Sequence, residues 1–432
     1  MNQVGSSSKY PRVGLDLRPT EPGFKSHFGR GIGRYTEELV QRLLRFAPED
    51  TGISFVPLSS QALWGKSWQG RYKGAFPLGK ITLETQAFLP QRLKSLELDQ
   101  MHFFAHGDSP ISGGVPRSVT VLDLIPLKFP ELYKANKPTW RYQLARYLEL
   151  KAIRSSAGIL AISQCTKRDL VEILRVDSRK VIVTPLAVSG KFFPREQDDW
   201  KMCQLKKRKA LTGIENFSDT RSMLLYVGGI DPRKNIPFLL SVLAELKQDL
   251  PEEKMPFLVV AGKIDKDDQY PKFLSEISRL GLQNDVVSLG YVPDEQLVRL
   301  YQAASAFVFP SLYEGFGFPV LEAMSCGCPV VAGRNSSIPE VAGRAGVLVG
   351  DNEQYGWVRA IKDIVLSSAM QQEFSLRGIE QAKQFSWDKT AEQTVDGYRQ
   401  FLGLNALGAK RLTAYQDSLG SVTLREREIQ NG

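Results

Sequence analysis

The chain has no apolar run approaching the ~18 residues that a membrane-spanning helix needs. Its opening stretch, MNQVGSSSKYPRVGLDL, lacks the apolar core of a secretory signal. These absences predict a cytoplasmic chain and leave only peripheral contact with a membrane surface open. Cysteine is sparse at four (Cys165, Cys203, Cys326 and Cys328), and histidine sparser at three (His27, His102 and His106). Without paired CxxC spacing, that inventory excludes a structural zinc site. Cys326 and Cys328 are too close in sequence to join without strain, so all four cysteines read as reduced packing or surface residues. What remains is an ordinary composition, 42% hydrophobic over 432 residues. That is too long for one compact core and points to two or three domains of roughly 150 residues each.

Charge is unevenly placed. The net is +9 overall, but residues 1–200 hold 29 Lys and Arg against 19 Asp and Glu, a net of +10, and the remainder is −1. An excess of this kind fits nucleic acid, an anionic bilayer or a phosphorylated substrate without choosing among them. The basic run 201–209 interleaves no aromatics and reads as a solvated linker helix, and no nucleic-acid recognition motif accompanies it. Two segments are candidates for a membrane surface: the stretch 64–73, and a helix over 136–156. In that helix Lys137, Arg141 and Lys151 share an arc with Leu144 and Leu148.

Short apolar β-type runs alternate with longer helical ones, the pattern of parallel α/β units. Strands are expected at 13–17, 53–57, 101–104, 118–122, 158–162 and 181–184. A second set is expected at 223–227, 257–261, 286–289, 306–309, 329–332 and 346–349. Helices are expected between them, for example at 35–45, 237–246 and 294–304, with Asn235 and Asp294 as N-caps. Two sets of six fit two doubly wound domains. The division expected is 1–195, a linker at 196–220, a second domain at 221–385, a C-terminal segment at 386–405, and a mostly disordered polar tail at 406–432.

Three places carry chemistry. AFVFPSLYEGFGFPVLEAMSCGCPVVA, at 306–332, reads as strand, loop, helix, strand, with Pro319 in the helix's first turn and Gly327 at its end. The loop Glu314-Gly315-Phe316-Gly317-Phe318 leads to a helix N-terminus, where free N–H groups and the dipole suit a phosphate or a sugar. Glu314 in that loop and Glu322 in the helix's first turn are bidentate acceptors for vicinal hydroxyls. Alternatively, Glu322 only favours the helix dipole, worth ~0.3–1 kcal/mol. In GGIDPRKN, Arg233 and Lys234 precede a helix start, where positive charge is misplaced unless an anion fills the site. GRGIGR, with Gly31 and Gly33, stands between a strand and a helix near the N-terminus. Asp265 and Asp267 have DxD spacing but read as a solvated loop rather than a metal site.

Taken in order, these sites resemble glycosyltransferase family 4, whose members have the GT-B fold: two Rossmann-like domains facing across a cleft. The Glu-x7-Glu hallmark is Glu314 and Glu322, set in PSLYEGFGFPVLEA and followed by GCPVV and SSIPEVAG. Similar segments cover most of the chain, including VTVLDLIPL, ILAISQCTKRDL, LGYVPDEQLVRLYQAASAFVFP and FSWDKTAEQTVDGYRQFL. The resemblance implies that Glu314 contacts donor-sugar hydroxyls, Glu322 the ribose, and Lys234 with Arg233 the diphosphate. Backbone of Gly315, Phe316, Gly317 and Phe318 would line the sugar and phosphates, with Gly31 and Gly33 approaching from the first domain. It further implies retention of anomeric configuration, no metal, and no cofactor beyond a nucleotide-diphosphate sugar. Leu122 stands where many members carry histidine, beside Asp123; His106, in FFAHGDSP, resembles another histidine position of relatives. Asp123 and His106 are therefore carried as donor or acceptor contacts. PRKN-type relatives lean toward GDP-mannose, and the basic excess in the domain that handles acceptors in this family suits a glycan or lipid-linked acceptor. UDP- or dTDP-sugars, and a non-catalytic nucleotide-sugar-binding relative, are the alternatives.

Overall fold

A computed structural model describes residues 9–25, 31–64, 85–133, 140–194 and 221–404. The linker with its basic run, the tail at 406–432, Cys203, His27, Lys137 and the side chains of 64–73 lie outside the described residues. All twelve expected strands form, with ends displaced by at most one residue. The first sheet holds β1 (Arg12–Asp16), β2 (Ser54–Leu58), β3 (Gln100–Phe103), β4 (Arg117–Val121), β5 (Gly158–Ala161) and β6 (Val181–Val183), in the order β2-β1-β3-β4-β5-β6. The second holds β7 (Met223–Val227), β8 (Phe257–Ala261), β9 (Val286–Gly290), β10 (Ala306–Phe309), β11 (Val330–Gly333) and β12 (Val347–Val349), in the order β12-β11-β10-β7-β8-β9. Every pairing is parallel. Strands covered by helices on both faces must be apolar throughout, which is why FLVVA of β8 and AFVF of β10 are buried at every position.

The order of each sheet reverses beside its first strand, so the carboxyl ends of β1 and β7 open onto a crevice, the usual ligand place in such sheets. The helices that border it are α1 (Gly31–Leu43), α2 (Trp140–Ser155), α3 (Gln164–Glu172), α4 (Ile236–Asp249), α5 (Asp294–Ala303), α6 (Phe318–Ser325) and α7 (Trp387–Phe401). Although the last of the described helices, α7 packs on the first domain. Arg399 bonds Thr51 O at 2.8 Å, Thr390 bonds Pro185 O at 2.6 Å, and the Phe401 ring lies over Gly158. The buried cysteines Cys165, Cys326 and Cys328 are not joined in disulfides.

Three helix starts differ from expectation. Gly31 and Gly33 lie within α1 rather than before it, and Gly33 is buried on its inner face. Asn235 is not a side-chain cap: it adopts φ 56°, ψ 34°, and turns the chain from a short 3-10 turn at Pro232–Lys234 into α4. A left-handed residue cannot present the extended geometry that N-capping uses. Asp294 occupies the first turn of α5 behind Pro293, where its charge suits the dipole without capping an N–H.

Candidate active site

The loop between β10 and α6 lies across the carboxyl end of β7. Glu314 in that loop is largely buried, with 13% of its side chain exposed. Its Oε1 accepts from Lys234 Nζ at 2.6 Å, from Arg233 at 2.9 Å and from the Ser311 hydroxyl. Burial raises the carboxyl's pKa, but the Lys234 and Arg233 charges outweigh it and hold the group below its ordinary value. Glu314 thus faces both cations from beside the turn that carries them, and Asp231, 3.5 Å from Arg233, adds a second carboxylate. Arg233 also bonds Tyr313 O at 2.7 Å and so braces the loop.

Two glycines shape this loop. A Cβ at Gly315 would stand 2.4 Å from Leu122 O of the first domain, so only glycine permits the approach. Gly317 takes φ 101° where the chain turns into α6. Phe316 is buried against Phe385, 5.9 Å between ring centroids, and offers the site its backbone alone. Glu322 lies a turn beyond the helix start, not in the first turn, so the dipole does not account for it. It accepts from the Tyr301 hydroxyl at 3.1 Å, and burial pushes its pKa up to about 7. A cavity of about 610 Å3 is lined by Gly31, Arg34, Asp294, Phe318 and Glu322, from both domains. Across its mouth Arg34 pairs with Asp294 at 3.2 Å.

A second cavity, of about 410 Å3, belongs to the first domain and is lined by Leu122, His106, Tyr142, Arg146 and Glu149 among others. His106 Nε2 pairs with Glu149 at 2.7 Å. Burial would lower the imidazole's pKa, but the hydrogen bond and charge of Glu149 raise it above the ordinary value. Asp123, next to Leu122, accepts from Ile125 N at 3.0 Å and has a pKa raised chiefly by burial. It borders Gly315 and lies within electrostatic reach of His106, Arg233 and Glu314. His102, in contrast, is a core residue bonded to Ser118 and Thr120. Asp265 and Asp267 sit in a surface turn. No group of three or more metal-ligating side chains occurs among the described residues.

The structure thus brings Arg233, Lys234, Glu314, Gly315 and Asp123 together and places Gly31, Phe318 and Glu322 on one adjoining cavity. Gly33 faces the core instead. Sequence reasoning missed Ser311, Glu149, Arg34 and the role of Asp294 as an ion-pair partner. Ser311, three residues before Glu314 at the strand end, was the one with a local signal.

Two doubly wound domains with such a cleft define the fold class, GT-B. Sucrose-phosphate synthase from Thermosynechococcus elongatus superposes with a TM-score of 0.64 at 18% identity, covering 91% of this chain and 99% of its own. HepE of Anabaena in complex with UDP gives 0.62 at 16%, covering 90% and 99%. The model of the family Glycosyl transferases group 1 matches residues 207–384. O-antigen chain mannosyltransferase B of Escherichia coli is 31% identical over 388 residues, 85% of this chain and 96% of the relative. The chain belongs to the glycosyl transferases of group 1.

Proposed function

We propose that this chain is a retaining hexosyltransferase that moves mannose from GDP-mannose to a glycan or lipid-linked acceptor in polysaccharide or glycoconjugate biosynthesis. The observation that carries the reading is the cluster of Glu314 with Lys234 and Arg233 at the cleft. A donor diphosphate entering the cleft takes over the two cations and stabilises there as its charge develops on leaving. Glu314, relieved of both, turns its anionic carboxylate to the donor-sugar hydroxyls; held ionised, it is an acceptor and not a proton donor. Glu322 takes the ribose hydroxyls, and the amides of Gly315, Phe316, Gly317 and Phe318 with Gly31 line the donor. In this reading the donor phosphate receives the acceptor proton and the new bond forms on the face from which the nucleotide leaves, without a metal. The mannose assignment is supported by the Escherichia coli relative, whose name states that sugar.

The acceptor enters from the first domain, past His106 and Asp123. On α2 the residues Trp140, Leu144 and Tyr147 are 68%, 44% and 58% exposed, and Lys151 lies 5.6 Å from the Tyr147 ring centroid. They form one stripe at helical spacing. Leu148, by contrast, turns to the cavity. With the positive charge of this half of the chain, the stripe suits peripheral seating on an anionic membrane carrying a lipid-linked acceptor. Flotation with anionic vesicles checks it: a Trp140→Ala, Tyr147→Ala protein should stay in the soluble fraction.

A thermal-shift panel of GDP, UDP, dTDP and ADP and their sugars, with and without EDTA, tests the donor. At a hundredfold excess over Kd a ligand adds about 2.7 kcal/mol of apparent stability. A shift selective for GDP and indifferent to EDTA is expected. A shift selective for UDP or dTDP replaces the donor, and none at all contradicts the enzymatic reading.

A further inference from the structure

Glu314 belongs to the second domain, yet both its chain neighbours are held by the first. On one side the buried Tyr313 donates its hydroxyl to Asp169 Oδ2 on α3. Lys128 Nζ bonds the other oxygen of Asp169 at 2.8 Å and lies 4.9 Å from the Tyr313 ring centroid. On the other side Gly315 O accepts from the Ser163 hydroxyl at 2.7 Å. The Ser163 hydroxyl oxygen also N-caps α3 by accepting from Thr166 N at 3.0 Å. A third tie runs the opposite way. The Glu340 carboxylate, from the second domain, accepts from Gln164 N and Cys165 N at 2.7 Å each. These are orphan amides of the first turn of α3, and a carboxylate there is favoured by the helix dipole as well.

Asp169, Ser163 and Tyr313 are each at most 3% exposed, so these bonds form in a dry contact where their geometry is fixed by packing. None of the three ties involves Lys234, Arg233 or Glu322. The contact therefore sets the place of the Glu314 loop, and it meets the groups assigned to the nucleotide only through backbone, at Tyr313 O, which Arg233 bonds, and at Gly315.

We propose that Asp169, acting through Tyr313, and Glu340, acting through the first turn of α3, are positioning residues for sugar transfer that fix the Glu314 loop against the first domain. The proposal rests on reading Glu314 as the donor-sugar contact. A displacement of about 1 Å at a reacting centre costs about a hundredfold in rate, so losing a tie should register in turnover and not in nucleotide affinity.

The test compares Asp169→Ala, Tyr313→Phe, their double variant, Glu340→Ala and Glu340→Gln with the wild type. Three quantities are read: kcat for transfer, Kd for GDP, and hydrogen exchange at the amides of 313–317. Each alanine variant should lose about tenfold or more in kcat, with Kd within about twofold and faster exchange in the loop. The double variant should be no worse than its worse single, because both remove one tie. Glu340→Gln should recover part of the loss, since its carbonyl still accepts one amide. Unchanged kcat, multiplying losses in the double variant, or GDP affinity falling in step with kcat would overturn the proposal. If the wild type transfers no sugar, the reading of the site fails, and exchange alone then decides: a faster loop in Asp169→Ala supports positioning, an unchanged one refutes it.

Discussion

Replacing Glu322 with glutamine should stabilise the ligand-free protein above neutral pH while weakening its affinity for nucleotide. The carboxyl sits half-buried on the cavity wall, and burial raises its pKa from 4.5 to about 7, against the pull of the Tyr301 hydrogen bond and the Arg34 charge. Below about pH 4.5 it is protonated folded and unfolded alike, so it adds no pH dependence there. Between 4.5 and 7 the folded state keeps a proton that the unfolded chain has lost, and wild-type stability falls as pH rises through this window. At ~1.4 kcal/mol per pKa unit, the shift corresponds to at most about 3 kcal/mol above pH 7. Partial exposure at the cavity reduces the figure further. Glutamine keeps an oxygen for Tyr301 and carries no charge. Urea denaturation should therefore show a Glu322→Gln protein only slightly more stable at pH 5, just inside the window, and markedly more stable at pH 8. Calorimetry should show weaker GDP binding by the variant, because the carboxylate proposed to accept from the ribose hydroxyls is gone. A variant no more stable at pH 8, or a difference as large at pH 5, would refute the reasoning.

Other outcomes follow from the same geometry. Lys234→Ala should weaken binding of the free nucleotide diphosphate, measured by calorimetry; equal affinity would remove the diphosphate assignment. Gly315→Ala puts a methyl 2.4 Å from Leu122 O, a backbone clash that side-chain motion does not relieve. Transfer should fall at least about tenfold while GDP binding by the second domain persists, and wild-type turnover would contradict the close approach. Glu149→Gln should lower the His106 pKa, read from its ring-proton NMR titration, because the Glu149 carboxylate holds the imidazolium. An unmoved titration would show that the pair does not set its charge.

Much of the fold could be read from the residues because parallel strands covered on both faces are short, continuous apolar runs, and GVPRSVTVLDLIP or EKMPFLVVAGK mark their own ends with proline and glycine. Helix starts were harder. Asn235 looks like a cap in sequence, but it turns the chain in the left-handed region after the turn that carries Lys234; asparagine suits both places, so its identity alone did not choose between them. Glu314 and Glu322 were visible as a spaced pair. Their environments, one ion-paired and one pushed toward neutrality, depend on residues 80 positions away in the first case and 21 in the second. The ties from Ser163, Asp169 and Glu340 span separations of 144 to 176 residues and leave no periodic trace in the sequence.

The most direct test of the account is to follow sugar transfer from GDP-mannose to a mannose-terminated glycan by the wild type and by Glu314→Gln, in EDTA, with GDP binding measured on both. The wild type should transfer mannose with retained anomeric configuration. Glu314→Gln should bind GDP nearly as well and transfer none. Undiminished turnover by Glu314→Gln would contradict the role given to the carboxylate at the centre of the site.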